Sequence, residues 1–174
     1  VKLHAVGDLF SDRVQSGIEA ITKEAARNGM TNKIDVPPER QFAGFDAYQK
    51  VIDSGVDVVL LATPPHFRPA HLAAAVAAGK HCFVEKPVAV DAPGVRSVLA
   101  TCEEAKKQAL SIVSGFMWRY DIPTQEAIKL VHDGAIGEIV TLQANYLTST
   151  LPYYDRKPDW SDMEWQIRNW QYFV

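Results

Sequence analysis

The sequence predicts an α/β fold, a doubly wound parallel sheet followed by the beginning of an α+β domain. Short apolar runs alternate with longer stretches whose apolar residues recur every three or four positions. The runs at 56–63 (VDVVLLAT) and 81–84 (HCFV) are apolar without alternation, the pattern of strands covered by helices on both faces. Repeated strand–helix–strand units of this length need crossover connections, and hence parallel strands.

Residues 1–6 are predicted as a strand closing at Gly7-Asp8. Ser11 is positioned to cap a helix with apolar residues Val14, Ile18, Ile21 and Ala25 on one face and Gly29 beyond its end. Residues 30–39, with Pro37-Pro38, read as loop, and 41–43 as a short strand. Asp46 caps a helix through Val51 and Ile52 that Gly55 stops. The strand at 56–63 is broken by Pro64-Pro65, and an alanine-rich helix over 69–78 ends at Gly79. After the strand at 81–84, Asp91 caps a helix bearing Val95, Val98, Leu99, Cys102 and Ala105, and 110–114 is a further strand. The pattern changes after Gly115. A helix over 123–132 ends at Gly134, 138–146 alternates as a longer strand, and 147–174 turns polar and aromatic. The predicted domains are therefore 1–115 and 116–174.

Composition narrows the function. Of the 174 residues, 47% are hydrophobic and 22% charged, and the net charge is -3. That balance argues against nucleic acid as a partner. No apolar run approaches the roughly 18 residues of a membrane span. Two cysteines, Cys82 and Cys102, are too few for a disulfide framework and read as small buried side chains. The chain opens on Val1 inside an apolar run, so the natural N-terminus, with any export signal, is expected upstream. The sequence assigns no compartment, and the cytoplasm is the default.

Chemistry concentrates at predicted strand ends, where ligands of open α/β sheets bind. Asp8 ends the strand at 1–6, where a carboxylate accepts from the adenosine ribose hydroxyls of a dinucleotide and repels a 2′-phosphate. It serves equally as a turn or capping aspartate. Arg13, one turn on, could pair with a 2′-phosphate, though a solvated helix arginine fits it better. Thr63-Pro64-Pro65-His66 ends the strand at 56–63, and a plain strand-to-helix turn explains it as well. His66 and His71 lie five apart, whereas metal pairs on a helix sit three or four apart, so no metal site is assigned. Glu85-Lys86-Pro87 ends the strand at 81–84. A lysine there, desolvated beside an oxidised nicotinamide, can hydrogen-bond a substrate hydroxyl and help remove its proton. Taken alone, the triplet also serves as an ion pair between adjacent elements.

The stretch 62–91, ATPPHFRPAHLAAAVAAGKHCFVEKPVAVD, resembles the signature of the Gfo/Idh/MocA family (glucose–fructose oxidoreductase / inositol dehydrogenase). Thr-Pro at a strand end, a following histidine, Ala-Gly-Lys-His and Glu-Lys-Pro occur in order and spacing. GFMWRYD at 115–121 and DGAIGEIV at 133–140 resemble the start of that family's second domain. The resemblance implies a Rossmann-type cofactor domain and the beginning of a substrate domain. It implies NAD, with NADP as the other choice, and a carbohydrate-like substrate. Asp8 would hold the adenosine ribose, and Thr63, Pro64 and His66 would line the nicotinamide side with His71 behind. Glu85 would contact the nicotinamide ribose, Lys86 would be catalytic, and Pro87, often cis in the family, would shape the loop. Trp118 and Arg119 would lie near the cofactor. Tyr146 would face substrate, and Arg168 and Trp170 in the aromatic tail are further substrate candidates. Core packing or an oligomer contact explains the tail equally well. The family also implies a homo-oligomer.

Several features depart from the family pattern. The glycine-rich loop G-x-G-x-x-G is absent from 1–174, which implies that the first strand precedes Val1. The strands at 1–6 and 56–63 must then pair directly or expose their edges, and 1–174 alone is expected to bind NAD poorly. Met117 stands where many members carry a polar residue, and the family's later catalytic aspartate and histidine would follow Val174. The leading reading is an NAD(P)-dependent dehydrogenase of a sugar, polyol or related hydroxyl compound. An NAD-dependent glycoside hydrolase and a non-catalytic dinucleotide-binding regulator are the alternatives.

Overall fold

The structure, a computed structural model, describes residues 1–173. The chain divides into two units, Val1–Gly115 and the residues from Phe116 onward.

The first unit alternates strands and helices: β1 (Val6–Asp8), α1 (Ser11–Arg27), β2 (Gln41–Ala43), α2 (Ala47–Asp53), β3 (Val58–Leu61), α3 (Arg68–Ala77), β4 (His81–Val84), α4 (Ala92–Lys107) and β5 (Ile112–Ser114). Every strand pairing is parallel, in two sheets ordered β1-β2 and β3-β4-β5. β4 is the central strand of the larger sheet, with Val58 opposite His81 and Cys82 opposite Ile112.

One face of that sheet holds the core. Val59 and Leu61 of β3 and Cys82 and Val84 of β4 cluster with Leu72, Ala75 and Val76 of α3 and with Val98 and Ala105 of α4. Ala75 is fully buried, and Leu72 is 1% exposed. The alanines of α3 favour the helix and let it sit close to α4 and the sheet. The helix ends where Gly79, at φ +72°, lets Gly79 N donate to Val76 O and Lys80 N to Ala75 O. Asp91 caps α4, its Oδ1 accepting from Gly94 N at 2.7 Å. Burial and the neighbouring Cys102 push the Cys82 thiol up to about 11, which leaves it unreactive near neutral pH.

The structure corrects several expectations. β3 is covered on one face only, with Val58 45% and Leu60 71% exposed, because α3 and α4 both pack on the side of Val59 and Leu61. Of the two outcomes the sequence left open for β1 and β3, the second is seen: they do not pair, and each keeps an open edge. The first strand lies at Val6–Asp8 rather than 1–6, because the His4 carbonyl is taken by Arg40 Nε at 2.7 Å. Leu3 forms only an isolated bridge to Ile34. Ser11 is the first residue of α1 rather than its cap. Asp46 stands at the cap of α2, but its carboxylate pairs with Lys50 at 2.8 Å. Residues 30–39 contain two short 3-10 turns.

The second unit contains α5 (Met117–Tyr120), α6 (Ile122–His132) and α7 (Asp162–Arg168). Asp121 caps α6, accepting from Thr124 N and Thr124 Oγ1. The strand expected at 138–146 is not formed. A strand needs a neighbour for its amides and carbonyls, and among the described residues this unit has no other strand. Its apolar face, Val140, Leu142 and Tyr146, is more than four-fifths exposed. The tail instead organises around Asn169, 2% exposed, whose amide accepts from Tyr154 N and donates to Tyr154 O and Trp165 O. No helix of the described residues is long and apolar enough to cross a membrane.

Candidate active site

Parallel strands direct their carboxyl ends to one side of a sheet, and the polar residues of the first unit gather there. Asp8 closes β1, Thr63 and Pro64 follow β3, Glu85 and Lys86 follow β4, and Gly115 follows β5. Glu85 N donates to Leu61 O at 3.0 Å and Gly115 N to Val84 O at 2.8 Å, carrying the ladders one step past the strand ends. The two sheets meet on this side. Phe45, after β2, lies 6.5 Å from Phe67, after β3, and Tyr48 of α2 stacks on His71 of α3 at 4.1 Å.

Asp8 is half-buried, and its Oδ1 accepts from Phe10 N at 3.0 Å, which fixes the carboxylate at the end of β1. Thr63 Oγ1 and His71 Nδ1 are 3.3 Å apart. His71 is buried between Tyr48 and Phe67, and burial lowers its pKa to about 4, so the ring is neutral at physiological pH. It therefore braces Thr63 from behind, while His66 stands exposed at the turn.

Glu85 is half-buried, and Lys86 and Pro87 are exposed. The Lys86–Pro87 peptide bond is cis. Lys86 N donates to Glu85 Oε2 at 3.1 Å. The Glu85 carboxylate lies against Gly115, where a β-carbon would come within 2.9 Å of it. Lys86 is thus presented to water at the tip of the central strand, and the burial expected to desolvate its ammonium is not seen.

Sequence reasoning missed Arg68. This first residue of α3 is 4% exposed, and its Nη1 donates to the Pro87 carbonyl. Burial pulls its pKa down and the Glu85 charge pulls it up. The signal available was its place between the strand-end turn and Pro69, but a lone arginine in a turn reads as solvated.

The remaining candidates lie in the second unit. Trp118 and Arg119 are exposed on α5, with the guanidinium 5.6 Å from the Phe116 ring. Tyr146 is 83% exposed in the irregular stretch. Arg168 pairs with Glu164 at 2.9 Å and lies 4.6 Å over the Trp160 ring, so its charge is committed within the tail. Trp170 is half-buried.

Strand-end acceptors held by the backbone suit a dinucleotide. Asp8 ends β1 in one sheet, and Thr63, Glu85 and Lys86 follow the adjacent strands β3 and β4 in the other. Residues 11–113 match the Gfo/Idh/MocA family, described as an oxidoreductase family with an NAD-binding Rossmann fold. The chain belongs to the Gfo/Idh/MocA family. The first unit is thus an NAD-binding Rossmann domain of this family. The chain is similar to an inositol 2-dehydrogenase of Cereibacter sphaeroides, 34% identical over 84% of the chain and 43% of that protein. It is similar to a glycosyl hydrolase family 109 protein of Streptomyces coelicolor, 27% identical over 82% of the chain and 28% of that protein. Among solved structures it is similar to myo-inositol 2-dehydrogenase from Lactobacillus plantarum, with a TM-score of 0.55 and 28% identity. That match covers 80% of this Gfo/Idh/MocA chain and 36% of the other. The chain thus spans less than half the length of these relatives.

Proposed function

We propose that the complete protein is an NAD(P)-dependent dehydrogenase of a sugar or polyol, with a cyclic polyol of the inositol class as the first substrate to test. The observation that carries this reading is Lys86, exposed at the tip of the central strand and flanked by Glu85 and Thr63-Pro64. Asp8 binds the adenosine ribose and disfavours a 2′-phosphate. Thr63, Pro64 and His66 line the nicotinamide side, with His71 bracing Thr63, and Glu85 meets the nicotinamide ribose. Pro87 shapes the loop, and Trp118 and Arg119 close on the cofactor. Nicotinamide, when bound, supplies the hydride acceptor. Lys86 Nζ hydrogen-bonds the substrate hydroxyl and carries its proton away as the carbonyl forms. Tyr146 and Trp170 contact substrate, whereas the Arg168 ion pair makes that residue the weakest of the substrate candidates. The exposed apolar row of Val140, Leu142 and Tyr146 suits a contact between copies, so the protein is read as a homo-oligomer, to be checked by light scattering.

The test is absorbance at 340 nm with NAD and a panel of inositols and aldoses. Steady NADH formation with one of them is the expected result. The similarity to the Streptomyces coelicolor hydrolase gives the second reading its specific support. Release of a free sugar from a glycoside without net NADH would establish that reading and overturn the dehydrogenase.

A further inference from the structure

We propose that Arg68 is a positioning residue for Lys86, its guanidinium clamping the loop that leaves β4. The inference rests on the reading of Lys86 as the group that meets substrate. Arg68 is the only lysine or arginine among the buried described residues, at 4% exposure. Burying a guanidinium is costly unless its partners offset the lost hydration. Here the bonded partner lies next to Lys86 in the chain. Nη1 donates to the carbonyl of Pro87, which follows the lysine, and the Glu85 carboxylate, which precedes it, is near enough to favour the charged guanidinium without forming an ion pair with it. The Glu85 carboxylate accepts from Lys86 N at 3.1 Å and packs beside Gly115, where a β-carbon would come within 2.9 Å of it. The backbone just after Lys86 is therefore tied to a buried cation.

That cation projects from a rigid element. Arg68 is the first residue of α3, Pro69 fixes the first turn, and Leu72 in the next turn is 1% exposed in the core. Groups held by packed helices keep their geometry better than groups on free loops. Arg68 Nε is buried and has no hydrogen-bond partner among the described residues. Arg68 touches no reacting atom, and its effect on the reaction runs through where Lys86 stands.

The experiment compares Arg68→Met, Arg68→Lys and Lys86→Met in the protein made from its complete reading frame. NAD affinity is followed by fluorescence titration, and kcat and KM on the substrate found above. Misplacing a reacting group by about 1 Å can cost about a hundredfold in rate. Arg68→Met is accordingly expected to lower kcat about ten- to a hundredfold, with KM and NAD affinity within about threefold of the parent. Arg68→Lys, which keeps the charge and a donor for Pro87 O, is expected to recover most of that loss. The inference is overturned if kcat is unchanged in Arg68→Met, if KM rises at constant kcat, or if Lys restores no more than Met. Should Arg68→Met fail to fold, Arg68→Gln is read by the same criteria. An undiminished rate in Lys86→Met would bring down the underlying reading and this inference together. A dead Lys86→Met beside a fully active Arg68→Met would bring down the inference alone.

Discussion

At Gly115 a β-carbon would sit 2.9 Å from a Glu85 carboxylate oxygen, the movable end of a side chain. Gly115→Ala is therefore expected to shift unfolding free energy by less than about 1 kcal/mol. The displaced carboxylate should still lower turnover several-fold, so kinetics and chemical denaturation measured on one preparation separate the two effects. His71 makes a second prediction. Its pKa is about 4 in the fold against 6.5 unperturbed, so the unfolded chain binds the extra proton first as pH falls. The stability from keeping the ring neutral is complete above about pH 6.5 and is lost progressively toward pH 4, by up to about 3 kcal/mol. Urea unfolding across that range should show this slope in the parent and a flatter one in His71→Gln; equal slopes would contradict it. Thr63, Glu85 and Lys86 were legible in the sequence because strand ends can be read from apolar runs. Arg68 and Asn169 were not, since each is buried by partners 19 and 15 residues away that no local pattern reveals.

Among elements, α2 packs closely on β1 at Gly7. A β-carbon at Gly7 would meet Val51 Cγ2 at 2.8 Å and Ala47 O at 3.1 Å. Backbone cannot swing aside as a side chain does, so Gly7→Ala is expected to destabilise by about 1–3 kcal/mol, measured by thermal unfolding. The helices of the first unit were legible from their 3.6-residue period because each lays one apolar face on a sheet. The strand expected at 138–146 carried an equally clear alternation and did not form. Alternation states which face could be buried, whereas pairing requires a neighbour, and that neighbour is not written locally. The displacement of β1 has the same origin, in the hold of Arg40 on the His4 carbonyl.

Over the whole molecule, the same logic separates a first unit built on layered strands and helices from a second whose helices α5 and α6 are followed by an irregular stretch before the tail. Limited proteolysis is expected to cut first within 138–150 and to leave 1–115 as the resistant product; an early cut within α3 or β4 would contradict that division. The parallel α/β class was legible because it follows from repeated strand–helix units, and the family because its motif at 62–91 is local. The open edges of β1 and β3 express a property of the sheet as a whole, which the strand count alone anticipated.

On the reading proposed above, Lys86 moves the proton at the carbon that gives up hydride. Single-turnover NADH formation in Lys86→Met, followed at 340 nm in the complete protein, tests it most directly. The expected rate is at least about a hundredfold below the parent, with NAD affinity within about fivefold. A parental single-turnover rate would contradict it.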